Sequence, residues 1–86
     1  MPDTNDETLA LQALVWTLAE PARAMRLLDL TGLSPADLRA SAGSRETLVA
    51  ALSFLESHER DLIACAEGLG IAPSALVAVR HRLEAA

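Results

Sequence analysis

The amino-acid sequence predicts an all-α protein, a compact bundle of about six short helices, and three observations carry that reading. Ala and Leu dominate the apolar residues, whereas Val, Ile, Phe, Trp and Tyr, which suit a pleated sheet, are few. The apolar positions recur at helical spacings, with no alternating run of the kind a strand needs. Ser, Pro and Gly stand between those runs where helices begin and end.

Met1 to Asp6 reads as a polar lead-in to a single helical domain over 7–86, and Thr4-x-x-Glu7 has the spacing of a capping box. In the run Leu9 to Ala19 only Gln12 and Thr17 are polar. A first helix so apolar on all sides belongs at the centre of the fold. Pro21 suits the first turn of a second helix, in which Arg23, Arg26 and Asp29 form a solvated stripe opposite Met25 and Leu28, and Gly32 ends it. Ser34-Pro35 is an N-cap followed by proline at the first helical position, opening a short third helix to about Ala42. Ser44 caps a fourth, Arg45 to about Glu56, whose Leu48, Val49, Leu52, Phe54 and Leu55 again predict a central place. Ser57 is positioned to cap a fifth, polar from His58 to Asp61 and apolar at Leu62, Ile63, Cys65 and Ala66, closed by Gly68 and Gly70. Pro73 opens the sixth, with Leu76, Val79 and Leu83 on one face.

Laid on itself with a shift of 38 residues, the chain aligns Leu14 with Leu52, Gly32 with Gly70, Pro35 with Pro73 and Leu38 with Leu76. Segments 7–43 and 44–86 are therefore candidate copies of one three-helix unit.

Twelve acids against seven bases, all of them Arg, leave a net charge of -5. That balance opposes non-specific binding to nucleic acid or to an anionic membrane. The lone Cys65 cannot close an intramolecular disulfide and suits a reducing compartment. With acids at the start of the chain and no apolar run of membrane-spanning length, the expected location is cytoplasmic.

Few residues suggest chemistry. His58, Asp61 and Cys65 at i, i+3 and i+7 are types that zinc accepts, but His81 is the only other His and no fourth ligand accompanies them. Ser34, Ser44 and Ser57 read as caps, and the acids lie in first turns or polar stripes, so no catalytic residue, metal or cofactor is predicted. Trp16, seven residues after Leu9 on the most apolar helix, reads as core more than as a binding anchor. A helix-turn-helix over residues 62–83 is the sharpest alternative. Its second helix would offer Arg80 and Arg82 to a nucleic acid, although from the C-terminal end, whereas such helices read bases near their N-terminus.

Four segments, ETLALQAL from Glu7, LTGLSPADLRA from Leu30 to Ala40, ALSFL from Ala51 and the Gly70-Ile71-Ala72-Pro73 turn, give the chain from Glu7 to Leu83 a further meaning. Together they resemble domain of unknown function 3572, a family of short bacterial proteins, with LTGLSPADLRA the most specific part. The resemblance implies a small helical protein and carries over no functional residue. The expected function is that of a non-enzymatic interaction module, binding another protein or, as a homodimer, itself.

Overall fold

The computed structural model describes residues 4–85 as six helices joined by short turns: α1 (Thr4–Leu18), α2 (Pro21–Thr31), α3 (Pro35–Ser41), α4 (Arg45–Glu56), α5 (Glu59–Leu69) and α6 (Pro73–Ala85). No strand occurs among the described residues. Local chemistry sets most of the boundaries. Glu20 caps α2 by accepting the Ala22 N–H at 3.2 Å. Ser34 and Asp37 form a reciprocal capping box at the start of α3, and the Ser44 hydroxyl accepts the Thr47 N–H at the start of α4. Gly32 and Gly70 end α2 and α5 in the left-handed region, at φ 73° and 72°, where a residue with a Cβ is strained. The Gly32 N–H donates to the Leu28 carbonyl at 2.8 Å, and the Ile71 N–H to the Ala66 carbonyl at 3.0 Å.

α1 and α4 pack on each other at the centre, and α6 closes against both. Ala10, Ala13 and Leu14 of α1 meet Leu48, Ala51, Leu52 and Leu55 of α4 and Leu76, Val79 and Leu83 of α6 in one core. The alanines matter as much as the leucines, because a small side chain lets two helix axes approach while the leucines fill the space beside them. Phe54 is fully buried. α2 and α5 lie over this trio, tied to each other by Arg26 and Asp61 at 3.1 Å. The radius of gyration, 11.7 Å, is near the roughly 12 Å expected of a compact chain of this size. α3 is an outlier, holding to the rest by Leu38 and by hydroxyls, since Thr47 donates to Ser41 at 2.9 Å across the turn.

Several sequence expectations need correction. α1 is already helical at Thr4, so Thr4 is not its cap, and Asp6 is a buried helical residue. A polar start is compatible with burial here because Arg82, far away in sequence, supplies the counter-charge. On α2 two positions depart from the expected faces, Met25 being 59% exposed while Arg23 turns inward, whereas Arg26 and Asp29 are exposed and Leu28 packs on the core as expected. Ser57 ends α4 and does not cap α5; its hydroxyl donates to the Ser53 carbonyl, and the residue at the start of α5 is His58, with no side-chain cap bond. Gly68 lies inside α5, and Gly70 alone terminates it. Segments 7–43 and 44–86 each run helix, helix, glycine turn, helix, with seven residues in α3 and thirteen in α6.

Candidate functional site

The residues that chemistry would favour are engaged separately. The fifth helix begins only at Glu59, so His58 does not share a helical face with Asp61 and Cys65. His58 Nδ1 donates to the Phe54 carbonyl at 2.9 Å, Asp61 pairs with Arg26, and Cys65 is fully buried. Burial pushes the Cys65 thiol up to about 11, with the charge of Arg23 opposing the shift, so little thiolate exists at neutral pH. No group of three His, Cys, Asp or Glu comes together among the described residues.

Arg80 and Arg82, the two bases that the helix-turn-helix alternative requires, are both held by carboxylates. Arg80 donates to both oxygens of Glu56 on α4 and, at 2.9 Å, to Glu84 one turn further along α6. These carboxylates raise its pKa still further above the ordinary arginine value. Arg82 makes a two-pronged contact with Asp6, 2.8 Å at each oxygen, which joins the end of α6 to the start of α1. That contact holds the Asp6 carboxyl below the usual carboxylate range against the opposing effect of burial.

Met25 and Leu30 of α2 and Ile63 of α5 are exposed apolar residues, but a continuous exposed apolar stripe lies on α1. Its buried side holds Ala10, Ala13, Leu14 and Thr17, but the opposite side leaves Leu11, Val15 and Leu18 exposed, at 42%, 61% and 36%. These three positions follow i, i+4, i+7 and form one stripe. Beside it, a groove of about 570 Å³ is lined by Leu11, Gln12, Val15, Trp16, Gly68 and Leu69. Gly68 lets the indole lie close on α5: a Cβ there would sit 3.3 Å from Trp16 Nε1, a tight contact that the ring would have to shift to accept. Arg23 fixes the indole, with its guanidinium carbon 3.7 Å from the ring centroid and Nη2 donating to the Trp16 carbonyl at 2.8 Å. The guanidinium thus occupies the end of α1, where carbonyls lack helical partners. Its Nε is buried without a hydrogen-bond partner.

Trp16 is half-buried, packed against the core and also lining this groove, so it is both core edge and surface. Sequence reasoning missed the stripe because it placed all of α1 at the centre, and missed Gly68 because a glycine near a helix end reads as a stop signal. A second groove, about 400 Å³ between α2 and α4, is lined in part by Leu30, Thr31, Thr47 and Ser53. Thr31 and Thr47 hydroxyls there serve the fold, bonding the Leu27 carbonyl and Ser41. The α1 groove is the stronger candidate, since it is continuous with the apolar stripe.

Fold and surface together define a small all-α bundle with an apolar helix face and a groove beside it. Over residues 3–86 the chain matches the model of the family described as protein of unknown function DUF3572, and it belongs to that family. No curated protein and no solved structure matches it. No single helix among the described residues is long and apolar enough to cross a membrane.

Proposed function

We propose that the chain is a non-enzymatic protein-interaction module of the cytoplasm, and that it binds its partner through the outer face of α1. One observation carries this reading: Leu11, Val15 and Leu18 form an exposed apolar stripe on a helix whose other side is core. Scattered exposed apolar residues are ordinary, but a contiguous stripe beside a groove marks an interaction surface. A photo-reactive amino acid at Val15, and in a second variant at Asp29 on the exposed side of α2, tests it in the source cell. Cross-linked protein adducts are expected from position 15 and not from position 29. Equal adducts from both, or none from position 15, would count against the module.

A second reading, nucleic-acid binding through α5 and α6, draws on their crossing at 98°, which lies in the helix-turn-helix range of about 90–120°. It is the weaker of the two. The N-terminal half of α6 offers Ser74 as its one exposed polar side chain, and Arg80 and Arg82 are engaged with acids.

A further inference from the structure

Resting on the reading of α1 as an interaction face, we infer that its occupant is a basic amphipathic helix of a partner protein, laid along Leu11, Val15 and Leu18 with an apolar side chain in the groove at Gly68. Shape supports a helix. From Glu7 to Leu18 the face is about 16 Å long at the rise of an α-helix, and its i, i+4, i+7 stripe is the pattern by which helices meet in grooves. The groove of about 570 Å³ beside Trp16 and Gly68 is large enough to take an apolar side chain.

Charge selects among helices. α1 contains no basic residue. Glu7 stands one turn before Leu11, where the two line a hollow next to Gly43, and Glu67 is exposed beside Gly68 on the far side. The whole chain carries -5. A second copy fits this poorly, because an isologous contact brings the same acid-fringed face against itself with no base on either α1. An anionic membrane is repelled in the same way. A helix with Lys or Arg flanking an apolar ridge meets both the stripe and its acids.

The test uses the full-length chain and two synthetic 18-residue helical peptides, one of Leu and Lys in an amphipathic pattern and one with Glu in place of each Lys. In amide NMR titrations the basic peptide is expected to shift Leu11, Val15, Leu18 and Gly68 saturably, and the acidic peptide to leave them unmoved. Val15→Asp decides between docking and mere charge attraction. It adds an acid, so diffuse attraction would tighten, whereas docking on the stripe should weaken at least tenfold. Glu7→Gln with Glu67→Gln should weaken binding several-fold, while Glu46→Gln on α4 should not. Equal binding of both peptides, shifts centred elsewhere, or tighter binding by Val15→Asp would overturn the inference. Sedimentation equilibrium is expected to give a monomer. A dimer that Val15→Asp dissociates would put a second copy on the face, defeating the basic-helix inference while leaving the interaction module standing.

Discussion

Asp6 is the residue at which local sequence and structure diverge most. Only 4% of it is exposed, although it sits among polar neighbours at the start of the chain. A buried carboxylate is tolerable only with its charge answered, and the Arg82 guanidinium answers both oxygens. Because the contact lowers the folded-state pKa below that of an unfolded Asp, the pair's contribution is complete above the unfolded value of about 4. It is lost as pH falls through the folded value. Asp6→Asn keeps the shape and removes the charge, so it should melt below the parent near neutral pH, with the difference closing in strong acid. Thermal melts of both proteins across pH check this, and a gap that persists unchanged at low pH would show that the pair acts through packing alone. Nothing in the neighbourhood of Asp6 in sequence announces Arg82, so this contact was not legible beforehand. The same holds for Arg23, whose place on Trp16 depends on how α2 folds back onto α1.

At the scale of helices, the beginnings and ends were largely legible because they are set by neighbouring residues. Ser34 before Pro35, Ser44 before Arg45 and the left-handed Gly32 and Gly70 act within one turn, and each lies where the sequence placed it. The rotation of a helix about its axis was less legible. In the segment from Arg23 to Leu30 the apolar residues permit more than one inward face, and packing on the core selects Leu27 over Met25. The exposed stripe of α1 was hidden for a related reason, since a helix apolar on every side does not say which side the fold will leave bare. Helix contributions should differ in turn. Leu52 is buried in the core on α4, the helix that packs on both α1 and α6, and Leu52→Ala should cost about 4 kcal/mol, toward the upper part of the range for buried leucines. Leu38 is the only buried residue of the seven-residue α3, which can shift to fill a void. Leu38→Ala should therefore cost about 2 kcal/mol or less. Urea unfolding of the two variants makes the comparison, and equal losses would mean that α3 is as integral as α4.

For the molecule as a whole, electrostatics separate the interaction reading from the nucleic-acid one. DNA affinity depends on how many phosphates a protein neutralises, each contact releasing close to one counterion. The -5 chain starts with net repulsion, and its two clustered bases are spent internally, Arg80 on Glu56 and Glu84 and Arg82 on Asp6. To reach phosphate, Arg80 and Arg82 would have to abandon these carboxylates, leaving Asp6 buried and unanswered. No binding to a mixed-sequence duplex is therefore expected in fluorescence anisotropy, even at low ionic strength where attraction is greatest. Asp6→Asn makes the test stricter, because it removes the negative charge that Arg82 faces on α1 without removing the base, and this variant too should leave the duplex free. Micromolar binding that weakens steeply with salt, strengthens in Asp6→Asn and disappears in Arg80→Ala with Arg82→Ala would reverse the order of the two readings. In that event the 98° crossing of α5 and α6 would become the functional geometry, and the face of α1 a bystander.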